Sequence, residues 1–189
     1  IQAIAIGLVG QASDLVILIG EPILRHPDAV QIVAWAECLA NLLSVQLSFL
    51  CEGSNTAGLG LSGCLPHVGP GAVPLPEAER GLSARASFQK ALKAYIVHDV
   101  MVEDDCMGAQ QALMALKQAA FNVYISPFDS AHAREWADVM LPCAAGYETS
   151  GTLVNCCGDW QTTSSALAAA DEVRPAWKIY AALLAWQQS

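Results

Sequence analysis

Gly58-Leu59-Gly60-Leu61-Ser62-Gly63 spells G-x-G-x-x-G, a pattern that lets a backbone approach a pyrophosphate, and Glu77 and Glu79 stand where a ribose-binding acid would be expected. That chemistry requires the run to open a long helix whose N-terminus takes the phosphate. Pro66 and Pro70 follow closely, so a long helix cannot start there, and the run is read as a glycine-rich surface loop. The seven cysteines, at 38, 51, 64, 106, 143, 156 and 157, include no C-x-x-C. Zinc and iron–sulfur sites draw on closely spaced pairs. Cys156 and Cys157 are adjacent, which in a strand sends them to opposite faces. All seven are read as buried or idle thiols. The histidines at 26, 67, 98 and 132 are scattered. Asp129, Ser130 and His132 sit together, but a hydrolytic triad draws its members from separate segments, and there is no G-x-S-x-G elbow. They are read as capping and turn residues. Glu103-Asp104-Asp105 is read as a solvated helix start, since magnesium would need further oxygen ligands. Glu148 is a candidate general acid or base; its expected role is to accept hydrogen bonds from its own loop, holding two short strands apart. No catalytic, cofactor-binding or metal-ligating residue is assigned.

The elements that must position these groups follow from apolar periodicity. Asp14 to Gly20 is a continuous β-rich run of the kind buried on both faces of a parallel sheet. Further strands are expected at Val45 to Leu50, Lys93 to His98, Phe121 to Ser126, Ala137 to Pro142 and Thr152 to Asn155. Helical spacing predicts helices over Asp28 to Leu43, from an Asp104 or Asp105 cap to Ala120, and over Pro175 to Gln187. A helix remnant is expected over residues 1–13, a short helix over Ser83 to Leu92 and a helical turn near Ser130 to Glu135. Residues 53–76 form a long Gly/Pro-rich loop, a length that in a compact domain marks function or a covering partner. Strand and helix alternate, so the fold class is α/β: three layers, a mostly parallel sheet of at least four strands, helices on both faces.

Composition bounds the function. The 189 residues suffice for a single α/β domain spanning 1–189, and the start at Ile1 is read as that of a fragment of a longer chain. Hydrophobic residues make up 54% and charged residues 14%, which suits either a large interior or a surface covered by another domain. A net charge of −9 without a basic patch excludes nucleic acid and a polybasic membrane anchor. No apolar stretch is long enough to span a bilayer, so no direct membrane insertion is expected. An odd cysteine count without a small-scaffold pattern suits reduced thiols on a cytoplasmic side.

One segment says more by resemblance. Ala137-Asp138-Val139-Met140-Leu141-Pro142, then Glu148, then Ser150-Gly151-Thr152, Val154-Asn155, Gly158 and Gln161, resembles the late segment of the molybdopterin oxidoreductase superfamily. Within it, the chain most resembles the large iron–sulfur (G) subunits of bacterial NADH:quinone oxidoreductase, respiratory complex I. Arg174-Pro175-Ala176-Trp177-Lys178-Ile179 fits that family's closing helix. His26-Pro27-Asp28-Ala29 and Glu52 to Gly58 fit it upstream. The resemblance implies a C-terminal scaffold portion with no cofactor and no catalysis of its own. It implies a parent chain that binds iron–sulfur clusters, partners among the other complex I subunits and the remainder of its own chain, and a peripheral place on the cytoplasmic side of the bacterial inner membrane. The alternative is a lobe of a genuine molybdopterin-dependent oxidoreductase; a free-standing nucleotide-binding α/β module is a third reading. Cys156, Cys157, Asp159 and Trp160 depart from the small or basic residues often found in the superfamily's late loop, and an acid beside pterin phosphates is unfavourable.

Overall fold

Continuous runs of branched apolar residues become strands here because a pleated surface accommodates them best. In the computed structural model, residues 7–8, 14–24, 26–51, 53–170 and 172–187 are described. They divide into two compact units, residues 1–61 with 153–161 and residues 62–152 with 162–189. The helix expected over residues 1–13 lies outside the described residues except at Gly7 and Leu8, which are helical.

The first unit is a βα layer. β1 (Val16–Gly20) leads through a single turn, α1 (Glu21–Leu24), into α2 (Ala29–Leu43) and then β2 (Gln46–Leu50). β1 and β2 pair in parallel, Val16 opposite Gln46 through Gly20 opposite Leu50. Ser44, at φ 56°, stops α2 in the left-handed conformation and gives its N–H to the carbonyls of Ala40 and Asn41. A short helix, α3 (Thr56–Leu61), follows.

The second unit opens with β3 (Val68–Gly69) and β4 (Val73–Pro74), an antiparallel pair. Residues 53–76, expected as one irregular loop, therefore carry a helix and a small hairpin. Gly63 packs against that hairpin at φ +78°, where a Cβ would lie 2.7 Å from the Pro70 nitrogen, so only glycine fits. α4 (Ala84–Gln89) is capped by Ser83, whose hydroxyl accepts the Ala86 N–H at 3.2 Å. β5 (Ala94–His98), α5 (Val102–Asp105), α6 (Ala109–Gln118), β6 (Phe121–Ser126) and β7 (Val139–Pro142) come next. β6 lies between β5 and β7, parallel to both.

The expected helix from the acid run to Ala120 is two helices. Cys106-Met107-Gly108 interrupts it, and Gly108, not an acid, precedes α6. The expected sheet of at least four strands is likewise divided among the described residues. Its parallel strands fall into a pair in one unit and a triplet in the other.

The core of the second unit gathers Val97, Val102, Ala112, Leu116, Tyr124, Ala133 and Trp136. Leu116 is fully buried, and the Tyr124 and Trp136 rings meet edge to face at 5.5 Å. Asn122 sits among them at 2% exposure. Its amide donates to the Leu116 carbonyl at 2.8 Å and the Trp136 carbonyl at 2.9 Å, and its backbone N–H reaches Asp138 at 2.7 Å. One side chain thus ties the end of α6 and the approach to β7 to the start of β6.

Two strands and a helix complete the chain. β8 (Gly151–Val154) pairs with β9 (Trp160–Thr163). The chain crosses from the second unit to the first and back within this hairpin. α7 (Ala176–Gln187) closes the second unit, with Pro175 just ahead of its first turn.

Candidate functional site

In an open parallel sheet the strand ends at the carboxyl edge are where loops converge and ligands bind. In the second unit that edge is formed by His98-Asp99 after β5, Ser126-Pro127 after β6 and Cys143 after β7. Proline ends both β6 and β7, because it cannot continue a ladder as a donor. Asp99 turns the chain at φ 50° while its N–H holds the Ile125 carbonyl at 2.8 Å. Cys143 donates its N–H to the Ser126 carbonyl at 3.1 Å and bridges in parallel to Arg174.

Cys143 is buried. Burial first, and then the Asp99 carboxylate, push its thiol above the ordinary range. Tyr180 of α7 lies edge-on to His98, ring centres 5.6 Å apart, and its hydroxyl is also pushed up, by burial and then by Cys143. A protonated thiol in such surroundings is a poor nucleophile.

Beside this edge a cleft of about 300 Å³ is lined by Ser126, Phe128, Asp129, Arg134 and Leu141 among others. Arg134 is committed to Asp129: Nε donates to Oδ1 at 3.0 Å, and Nη2 donates to Oδ2. That hydrogen bonding holds the Asp129 carboxyl below the usual carboxylate range and raises the guanidinium further. The Ser126 hydroxyl accepts the Phe128 N–H at 3.1 Å. A separate apolar groove of about 460 Å³ runs along α7, bounded by Leu141, Ile179, Leu183 and Trp186, with Arg174 and Lys178 at its polar side.

The residues singled out from sequence fall as follows. Asp129 and Ser130 are turn residues, Ser130 accepting the Ala133 N–H at 3.2 Å, and His132 lies 3.9 Å from Glu103. Glu103, Asp104 and Asp105 occupy α5, where the Asp105 carboxylate takes the Met101 N–H at 2.7 Å. Glu148 accepts the Ala145 N–H at 2.9 Å, a hydrogen bond inside its own loop. The G-x-G-x-x-G run overlaps α3 instead of preceding a helix. A Cβ on Gly58 would lie 1.9 Å from the Asn55 Oδ1, and that oxygen holds the Val154 N–H at 2.8 Å. The glycine makes room for Asn55. Cys156 and Cys157 lie in the turn between β8 and β9, not in a strand, so the strand rule for opposite faces does not apply to them. Among the described residues, no group of three or more His, Cys, Asp or Glu side chains is arranged to hold a metal ion. Sequence reasoning missed Asn122, the Asp129–Arg134 pair and the grouping of Asp99, Cys143 and Tyr180. Only Asn122 left a signal, as a polar residue interrupting an apolar strand.

The sequence matches the family model for molybdopterin oxidoreductases over residues 9–185. The chain belongs to the molybdopterin oxidoreductase family. No curated relative matches it. Its α/β architecture with parallel sheets is that family's, and the membership makes it a lobe of a redox enzyme. The family's pterin–guanine cofactor carries a pyrophosphate, which needs cations or free helix N–H groups. The edge described here sets Asp99, Asp129 and the acid-rich α5 against Arg134, which is committed to Asp129, and Arg174, which bridges to Cys143; this acid-rich set does not fit a pyrophosphate. Among the described residues, no helix is long and apolar enough to cross a membrane.

Proposed function

We propose that the chain is the scaffold lobe of the G subunit of a bacterial NADH:quinone oxidoreductase, and that this lobe binds no cofactor and catalyses nothing itself. The parent enzyme passes electrons from NADH to quinone through iron–sulfur clusters carried elsewhere on the parent chain. The observation that carries this reading is the carboxyl edge of the β5–β6–β7 sheet. Its buried thiol, its acids and an arginine already committed to Asp129 favour this reading over a dinucleotide site.

Partner surface supports a scaffold role. α2 exposes Val30 at 86% and Leu42 at 80%, and α7 exposes Trp186 at 82%. These exposed apolar residues suit contact with other subunits and with the remainder of the parent chain. The place proposed is the cytoplasmic side of the inner membrane, held peripherally through those subunits.

A second reading, a lobe of a genuine molybdopterin-dependent oxidoreductase, is favoured by the family match across nearly the whole chain. Elemental mass spectrometry of the purified full-length parent separates the two. Iron without molybdenum or tungsten is the expected result. Near-stoichiometric molybdenum or tungsten overturns the scaffold reading and supports the second.

A further inference from the structure

Cys156 and Cys157 stand at the tip of the β8–β9 hairpin, both exposed to solvent. Their backbone is set by Asn155. Its Oδ1 accepts the N–H groups of Cys157 and Asp159, each at 2.9 Å, and its Nδ2 donates to the Asp159 carboxylate at 3.2 Å. Its main-chain N–H reaches the Asp159 carbonyl at 3.2 Å, and Gly158 at φ +86° completes the turn. The neighbouring Cys156 thiol, by hydrogen bonding and then by its charge, is the leading cause raising the Cys157 thiol above its ordinary range. Cys156 also borders a cavity of about 370 Å³ with Leu47, Phe49, Cys51, Thr56 and Ala57. Two adjacent exposed thiols on a fixed turn, one of them opening onto a partly apolar cavity, are a different thing from seven idle cysteines.

We propose that Cys156 and Cys157 form a two-thiol capture site for a trivalent, thiophilic metalloid, and that the cavity beside Cys156 receives an apolar substituent on it. The neighbouring Cα atoms are about 3.8 Å apart. An ordinary disulfide spans about 4.4–6.8 Å between Cα atoms, so direct S–S closure of this pair is strained. A single atom bonded to both sulfurs lets them stand further apart than an S–S bond does. The pair therefore favours a bridged product over a disulfide. Soft thiolate ligands select soft partners. Because the turn is already fixed, little ordering is needed on capture. With an organic arsenoxide, R–As=O, the reaction is a condensation. Two As–S bonds form, the As=O bond breaks, and the two thiol protons leave with that oxygen as one water. Arsenic stays trivalent and nothing is oxidised or reduced. The site does not depend on the electron-transfer reading of the parent.

The probe is phenylarsine oxide, added in equal amount to the full chain and followed by intact mass and by peptide mapping after alkylation. The expected result is one phenylarsenic per chain, with Cys156 and Cys157 together protected from alkylation. A small dithiol should reverse it and a monothiol should not. C156S and C157S should each weaken capture at least tenfold, and C64S, an exposed cysteine away from the cavity, should leave it within twofold. Filling the cavity with A57L should reduce the preference for phenylarsine oxide over methylarsine oxide while methylarsine oxide is still taken up. Protection mapping to any other cysteine pair in the unsubstituted chain overturns the proposal, as does capture that survives C156S or C157S or is abolished by C64S. An unchanged phenyl preference in A57L overturns the role of the cavity. The mapping on the unsubstituted chain decides the site even where a variant fails to fold.

Discussion

Replacing Asn122 by aspartate tests the packing logic of the second unit, because it keeps the side chain's shape and removes both donors. The amide spans two carbonyls at 2.8 and 2.9 Å from a position that is 2% exposed. Each hydrogen bond contributes about 0.5–1.5 kcal/mol net, and an uncompensated charge left inside costs about 3–5 kcal/mol. In N122D a carboxylate would face two carbonyl oxygens, with the Asp138 carboxylate already on the adjoining backbone N–H. The expected loss near neutral pH is therefore about 3–5 kcal/mol, a large part of a typical domain's stability. The sign of its pH dependence is fixed. Burial among acceptors raises the introduced carboxyl's folded pKa above its unfolded value of about 3.9. The penalty is then smallest below about pH 4, where both states hold the proton and one O–H still donates. It grows as pH rises towards the folded pKa. Urea unfolding of N122D and the parent sequence at pH 4 and pH 7.5, compared as a double difference, reads this directly. A neutral-pH loss under about 1 kcal/mol, or a loss that does not grow with pH, would refute the account.

Three further outcomes are expected. Gly58→Ala should displace Asn55 and cost about 1–3 kcal/mol, the penalty of an orphaned Val154 N–H; thermal melts of G58A, N55A and the double variant should show that the two losses do not add. Leu116→Ala should cost about 2–5 kcal/mol in urea unfolding, since the side chain is fully buried. Cys143 should resist alkylation while Cys38 and Cys64, which are exposed, react first in a timed mass-spectrometric assay. With its folded pKa raised, Cys143 should also lower stability as pH climbs past the unfolded thiol's value of about 8.5, where the unfolded chain releases its proton first, and C143A should soften that alkaline decline.

What could be read from sequence was whatever expressed itself as a run or a period. β1, β5 and β7 are apolar runs, β2 and β6 apolar runs broken by single polar residues, and each forms within two residues of its expected place. β9 gave no such signal. Trp160-Gln161-Thr162-Thr163 is exposed throughout and owes its pairing to the turn that Asn155 organises. The acid run was misread as one helix start because the break lies in Cys106-Met107-Gly108, whose effect depends on how α5 and α6 pack. At the sheet edge, each contact joins residues from different elements, such as Asp99 with Cys143 and His98 with Tyr180, and no local pattern encodes such a meeting. The glycine run, read as a surface loop because Pro66 and Pro70 follow, instead enters the short helix α3, and the reason for Gly58 is Asn55.

Asn55 and Val154 are 99 positions apart in the chain, yet their hydrogen bond belongs to one unit. That unit is therefore unfinished for most of the chain's synthesis. At about 5–20 residues per second, the ribosome takes seconds to deliver the segment that Asn55 waits for. Closing so long a loop costs about 4 kcal/mol beyond a constant when the residues between are flexible. The first unit's early strands and helices are thus made long before the segment that completes them, and its closure is a late event in the chain's synthesis.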